Sequence, residues 1–317
     1  MFLPMFFRFF GAKPAQAALF LIAFLGLSHA AHAGYSVTDA TGNVTQFDKP
    51  PQRVVTLLPS LAETVCALGA CERIVGRDRY SIWPTEMLKR VPAVGGGLDP
   101  NVEAIVALRP DVVMVSTSSR VSERLRNLGL RVVVLEPKNH QQVHEVMLIV
   151  AQVLGLPKAK AEQVWQDMYA RMRKTAAQLP AHLRGKRLYF EVSRGPYAAG
   201  ETSFIGENIA SLGLANVVDK TMGPFPKLNP EFVVLKNPDF ILAGDRSAGE
   251  MLLYPGWKSL PAVKNEQFCL FTLEQIDVLI HPGPRMDESV QLISDCVQGK
   301  LKAQSRRKPQ PVRKPGM

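Results

Sequence analysis

The chain carries one motif twice. NVEAIVALRPDVVMV, from Asn101 to Val115, returns as NPEFVVLKNPDFILA from Asn229 to Ala243, at a constant offset of 128 residues. Asn101 matches Asn229, Glu103 matches Glu231, Pro110 matches Pro238 and Asp111 matches Asp239, with aliphatic residues in register around them. A second echo precedes each copy at an offset of 144, matching Glu63 with Glu207, Leu68 with Leu212, Gly69 with Gly213 and Ile74 with Val218. Each half reads in the same order: a helix ending in Leu-Gly, a connection, an N-x-E helix, Pro-Asp, an apolar strand. Two copies are too few for a solenoid, which needs three or more stacked units, and they predict two similar lobes. A cleft between lobes is a common place to bind a small molecule.

Local patterns agree with that order. Arg53-Val-Val-Thr-Leu-Leu58 reads as a buried strand, and Pro59-Ser60 opens a helix with Ser60 as its N-cap. Asn101 opens another helix, with Glu103 in the first turn where a carboxylate suits the helix dipole. Pro110-Asp111 breaks it and launches the strand Val112–Val115; a helix from about 121 to 128 then stops at Gly129 before the strand Arg131–Leu135. Strand–helix alternation means a mainly parallel sheet with helices on its faces. From His140 to Gln178 apolar residues recur at helical spacing, broken once at Gly155-Leu-Pro157, and strands resume at Arg187–Val192. The expected fold is α/β, two similar lobes, each a mainly parallel sheet flanked by helices, joined by a long connecting helix with the ligand cleft between them. The lobes are expected at 34–138 and 181–298, with the connecting helical segment at 139–180. Such a connection is stiff and predicts limited domain motion.

The two ends read differently. Arg8 and Lys13 precede the apolar run AALFLIAFLGLSHA, and Ala31-His32-Ala33 supplies a small-x-small cut site, so residues 1–33 are expected to be a signal peptide cleaved before Gly34. No cysteine sits at that cut, which argues against a lipoprotein anchor; the expected location is the periplasm. Residues 299–317 form a tail with seven basic residues, rich in Lys, Arg, Pro and Gln, and read as a disordered, solvated extension. The net charge of +10 belongs to these ends: with their nine cations set aside, 29 basic residues face 28 acidic ones. A body so close to neutral gives no electrostatic case for nucleic acid.

Four cysteines in an exported chain, Cys66, Cys71, Cys269 and Cys296, allow three disulfide pairings. Cys66 in the last turn of a helix and Cys71 just past its stop could meet, and Cys269 with Cys296 would then form the other bridge; the sequence leaves the pairing open. Their spacing fits no zinc pattern. His140 and His144 stand one helical turn apart, but two ligands on a connecting helix read as a solvated face, and no metal centre is expected. Ser60 and Ser193 lack nucleophile-elbow glycines, and H-E-x-x-H and P-loop motifs are absent, so an enzyme, such as an exported metalloenzyme, is not expected. Glu103 and Glu231, in register across the repeat, point to a shared partner surface.

Arg53-Val-Val-Thr-Leu-Leu-Pro-Ser60, Val75-Gly76, Tyr80, the N-x-E-x-x-x-x-L-x-P-D block at 101–111, its partial echo at 229–239, and Pro284-Arg285 together resemble the periplasmic substrate-binding proteins of ABC importers, in the helical-backbone class of cobalamin and iron-complex receptors. The resemblance covers the whole body between the two ends. It implies a monomeric binding protein whose acids at Glu103 and Glu231, one per lobe, dock onto arginines of the permease dimer. Rim ion pairs of that kind set orientation and encounter rate more than affinity.

Cobalamin-binding members resemble it most. The resemblance places Tyr80, Tyr197 and Phe225 where they carry a cleft Tyr, a Phe and a Trp, and Asp277 where they carry an Asp that bonds the corrin amides. Trp83 adds a further aromatic wall. A corrinoid, large and flat with an amide rim, needs such walls and a few hydrogen-bonding groups. The chain departs from the pattern in three places: Gly97 replaces a second cleft Trp, His281 replaces a basic residue four before Arg285, and Leu212 replaces one half of the family's disulfide although Cys296 is kept. His281 at the cleft would hydrogen-bond an amide or ligate iron or cobalt through a ring nitrogen. Haem receptors of this class use a Tyr just before the N-x-E block, where this chain has Gly95-Gly-Gly-Leu-Asp99. Ferric siderophores want cleft arginines, for which Arg79, Arg194, Arg246 and Arg285 are available. The transported ligand is therefore expected to be a corrinoid, with a ferric siderophore complex as the alternative and haem behind it unless Tyr80 or His281 substitutes for the missing Tyr, and no catalytic cofactor is expected.

Overall fold

The computed structural model describes residues 34–244 and 251–301. The expected signal peptide, Arg246 and all of the basic tail beyond Leu301 lie outside the described residues. An antiparallel hairpin, β1 (Tyr35–Thr38) with β2 (Val44–Phe47), precedes the first lobe. That lobe then runs β3 (Val54–Thr56), α1 (Pro59–Ala67), β4 (Ile74–Arg77), α2 (Thr85–Leu88), α3 (Val102–Ala107), β5 (Val112–Val115), α4 (Ser122–Asn127) and β6 (Val132–Val134). Its four strands pair in the order β4-β3-β5-β6, all parallel. Every residue of β3, β5 and β6 is buried, as a sheet covered on both faces requires.

Two helices follow, α5 (His140–Val153) and α6 (Lys158–Ala177), packed on each other. The second lobe contains β7 (Arg187–Ser193), β8 (Tyr197–Ala198), α7 (Phe204–Ser211), β9 (Ala215–Asn216), α8 (Pro230–Lys236), β10 (Phe240–Gly244), α9 (Pro261–Lys264), β11 (Phe268–Phe271), α10 (Leu273–Ile280) and α11 (Met286–Val297). Its parallel strands order β9-β7-β10-β11, the same path as the first lobe, and β8 adds antiparallel to the far end of β7. The sequence repeat is thus a repeat of topology.

Much of the repeat has a structural cause. In both copies the N-x-E helix ends on a residue in the left-handed region, Arg109 at φ 46° and Asn237 at φ 45°. Each precedes a proline, whose ring disfavours a helical residue before it, and the chain turns out of the helix there. The aspartate after each proline then ties down the first strand of its lobe. Asp111 accepts the N–H groups of Gln52 at 2.8 Å and Arg53 at 2.9 Å, and Asp239 accepts that of Arg187 at 2.7 Å. Arg53 and Arg187 return the contact by donating to the last helix carbonyls, Leu108 at 2.6 Å and Lys236 at 3.0 Å. Gly69 and Gly213 close the other repeated helix in the left-handed conformation, which lets Ala70 and Leu214 donate back to Val65 and Ile209.

Two expectations need correction. Ser60 does not cap α1; Leu58 is the N-cap and Pro59 takes the first helical position, where its missing N–H costs nothing. Ser60 lies one residue further in, with its hydroxyl buried and unpartnered. Nor do His140 and His144 lie on a solvated face. His140 is 8% exposed. Its Nε2 faces the Asn208 Oδ1 at 2.8 Å and the Phe204 carbonyl at 3.2 Å, and its Nδ1 meets the Tyr169 hydroxyl at 2.7 Å. Two carbonyl oxygens at Nε2 identify it as the protonated nitrogen, and Nδ1 accepts from tyrosine. Burial holds the ring's proton affinity below its ordinary value, with Glu207 pulling the other way. His144 stacks on Trp165 and bonds Glu162.

Three buried clusters build the core. One fills the outer side of the first sheet, another that of the second, and the largest runs through both lobes and the helices α1, α5, α6, α7 and α11 between them. α5 packs against α1 and β1 of the first lobe, and α6 against α7 and α11 of the second. The structure joins Cys66 to Cys71 and Cys269 to Cys296, the latter tying β11 to α11.

Candidate functional site

The carboxyl ends of parallel strands are where α/β sheets collect ligand groups. In the first lobe the segment after β4 carries Asp78, Tyr80 and Trp83. Asp78 is fully buried and accepts the Tyr80 N–H at 2.8 Å and the Ser81 hydroxyl. This tight turn leaves the Tyr80 side chain outside the core, at 61% exposure, beside Ile82 at 45%. Burial pushes the Asp78 carboxyl above its ordinary value, against its hydrogen bonds from Ser81 and Tyr80 and the pull of His281. The glycine run that follows presents Leu98, also exposed. Gly97 packs so closely that a Cβ would stand 2.7 Å from the Leu57 carbonyl oxygen, so this backbone has no room for the tryptophan it replaces.

In the second lobe Tyr197 lies on β8, and residues 224–228 run beside it. Ala198 donates to the Pro226 carbonyl at 3.0 Å, Leu228 to that of Pro196 at 2.9 Å, and a bridge links Tyr197 with Lys227. This ladder brings Tyr197 and Phe225 together as two half-exposed rings, Phe225 leaning on Phe204 at 6.2 Å.

The third group joins the lobes. Asp277, His281 and Arg285 lie on α10 and the turn after it. His281 Nδ1 lies 3.1 Å from the Glu63 Oε1 of α1, and the Arg285 guanidinium lies 3.6 Å from the same oxygen while also holding Glu288 at 2.8 Å. Arg285 also sits 4.5 Å over the Trp83 ring, a cation–π contact. Burial raises the proton affinity of Asp277, with His281 and Arg285 lowering it. Glu63 is 3% exposed, and its Oε2 has no partner. The structure therefore gathers Trp83, Asp277, His281 and Arg285 around two buried acids, Glu63 and Asp78, that the sequence reading left out of the site. Glu63 had a signal in the repeat, as the match of Glu207; Asp78 had none.

Glu103 and Glu231 stand apart from this group. Each is the second residue of its helix, exposed, and each helix is capped by its asparagine, Asn101 on the Ala104 N–H and Asn229 on the Glu231 N–H. Both helices end at the amino edge of their sheet, against Arg53 and Arg187, so the two acids point to the opposite, carboxyl edge. Glu103 pairs with Arg124 at 3.0 Å with both side chains largely in solvent.

A groove of about 660 Å³ lies elsewhere, between α6, α10 and α11, and shares only Arg285 and its partner Glu288 with the residues above. Arg171 and Asp287, on its wall, are already paired. Among the described residues no three His, Cys, Asp or Glu side chains are grouped to hold a metal ion, and no helix is long and apolar enough to cross a membrane.

Residues 54–272, more than half of the 317, match the family model described as periplasmic binding protein. The chain belongs to that family. Among its relatives, this binding protein is 26% identical over 273 residues to the uncharacterized ABC transporter substrate-binding lipoprotein YvrC of Bacillus subtilis, covering 83% of this chain and 85% of that one. It is 30% identical over 213 residues to a cobalamin-binding protein of Halobacterium salinarum, 65% of this chain and 57% of that one. In fold it is similar to the vitamin B12 binding protein BtuF of Vibrio cholerae, with a TM-score of 0.65 at 21% identity, covering 80% of this chain and 99% of that one. It is equally similar to a periplasmic heme binding protein of Pseudomonas aeruginosa, with a TM-score of 0.68 at 22% identity over 78% and 92% of the two chains. The family's members bind small molecules and work with ABC transporter permeases.

Proposed function

We propose that this protein captures a corrinoid in the cleft between its lobes and delivers it, as a monomer, to the permease of an ABC importer. The observation that carries the reading is the set of aromatic rings left open at the carboxyl edges, Tyr80 on one lobe and Tyr197 with Phe225 on the other. Exposed rings of this size are costly to leave in water and suit a broad flat ligand. Asp277 and His281 supply hydrogen bonds to its amide rim, and Trp83 with Arg285 closes one side. Glu103 and Glu231 meet permease arginines, with Arg124 released from Glu103 on docking. The similarity to a cobalamin-binding relative supports the corrinoid.

Haem is the second reading, favoured by the His281 ring at the cleft and by the likeness in fold to a haem-binding protein. A ferric siderophore is favoured less, because Arg79 is paired with Asp99 and Arg285 with Glu63 and Glu288. The test is a panel of cyanocobalamin, cobinamide, hemin and ferric hydroxamate and catecholate complexes, read by tryptophan fluorescence and thermal shift. The corrinoids should bind and stabilise; stabilisation by hemin alone would overturn the first reading. Changing Glu103 and Glu231 together to Ala should leave ligand affinity intact and weaken permease binding, and equal transport by the double variant would refute their docking role.

A further inference from the structure

The second echo of the repeat, Glu63 with Glu207, has no place in the docking face or the aromatic walls. Both acids lie on the first helix of their lobe; Glu63 reaches across to the second lobe, and Glu207 reaches the connecting helix α5, which packs on the first. Glu63 on α1 meets His281 Nδ1 at 3.1 Å and the Arg285 guanidinium at 3.6 Å, where α11 begins. Glu207 on α7 accepts the main-chain N–H of His140 at 2.5 Å, where α5 begins, and that ring's Nδ1 lies 3.8 Å away. α5 and α11 are themselves counterparts. α5 follows the last strand of the first lobe and α11 that of the second, and each packs on the first helix of that lobe, α5 on α1 and α11 on α7.

The neighbouring backbone follows the same plan. Phe204, at the start of α7, donates its N–H to the Lys138 carbonyl at 2.7 Å just before α5. Gly283, just before α11, lies so close to α1 that a Cβ there would stand 3.4 Å from the Ser60 Cβ. In each case the first helix of one lobe holds the start of the helix that packs on the other lobe's first helix, through an acid at the same place in the repeat. A carboxylate as buried as Glu63 is costly unless it is paired. Moving the lobes apart strips its partners away.

We infer that Glu63 and Glu207 are paired positioning residues that hold the lobes at one separation and so set the spacing of Glu103 and Glu231; the second half of this rests on the docking reading above. The four cysteines of the chain are all in disulfides, so cysteines introduced at Val106 and Leu235, both exposed and one turn beyond the docking acids, are the free thiols for spin labels. Pulsed electron–electron distance measurement on the ligand-free full chain should give one narrow distance. Glu63→Ala and Glu207→Ala should each broaden and shift it, and the double variant more so. Glu207→Gln should restore the narrow peak, because a main-chain N–H needs only a neutral acceptor. Should Glu63→Ala fail to fold by circular dichroism, His281→Ala removes the same contact from the other side. An unchanged narrow distance in the folded Ala variants overturns the inference. A shifted distance with undiminished permease binding leaves the clamp standing and overturns the docking reading instead.

Discussion

Binding can only cover surface that the folded protein leaves exposed, which ranks the three proposed aromatic walls by what each can contribute. Tyr80, Tyr197 and Phe225 are 61%, 40% and 36% exposed. For side chains of about 200 Å² each, those fractions leave roughly 120, 80 and 70 Å² to be covered. At about 25 cal/mol per Å² the upper limits are about 3 kcal/mol for Tyr80 and about 2 kcal/mol for each of the others. Since 1.4 kcal/mol is tenfold in affinity, Tyr80→Ala should weaken a flat ligand by up to roughly 100-fold, and Tyr197→Ala and Phe225→Ala by up to roughly 30-fold. Isothermal titration calorimetry with cyanocobalamin measures each loss. It should also show a negative heat-capacity change that shrinks in the variants, as burial of apolar surface requires. A Tyr80→Ala variant that binds as well as wild type, or loses less than Phe225→Ala, would refute the reasoning, because the most exposed ring would then lie outside the contact.

Three further outcomes follow from single contacts. His140 has a proton affinity in the folded state below its unfolded value, so its contribution to stability is complete above the unfolded pKa of about 6.5 and is lost as pH falls through the folded pKa. The melting temperature of wild type should therefore drop between pH 7.5 and 5 more steeply than that of His140→Gln; parallel curves would contradict the buried neutral ring. The bridge from Cys269 to Cys296 spans 27 residues and that from Cys66 to Cys71 spans 5, so removing the first should cost about 3.5 kcal/mol and the second about 2 kcal/mol on chain-entropy grounds, measured by guanidinium unfolding of the paired Ser variants. Gly97→Trp should lower stability without raising corrinoid affinity, because its Cβ meets the Leu57 carbonyl; a gain in affinity would show that the loop opens at little cost.

Legibility from sequence followed the range of the interactions. The repeated helices and strands of each lobe, and their order along the chain, were readable because the repeat marks them twice and because their causes are local. Pro110 and Pro238 end helices by acting on the residue before them, and Asn101 and Asn229 cap helices within three residues. The seam was not readable. His281 meets Glu63 across 218 residues and His140 meets Glu207 across 67, so nothing in the local pattern distinguishes a buried histidine at a lobe junction from one on a solvated helix face. Ser60 failed as a cap for a different reason: a proline beside a serine offers two ways to start a helix, and the packing of α1 selects the proline. The aromatic residues were singled out through the family resemblance alone, while their exposures, which rank them, needed the fold.

Calorimetric titration of cyanocobalamin into the full chain tests the central claim most directly. Saturable binding of one corrinoid per protein, abolished when Tyr80, Tyr197 and Phe225 are changed together to Ala in a chain that still folds, is the result expected. No heat of binding from cyanocobalamin or cobinamide, with hemin saturating the same protein, would contradict it.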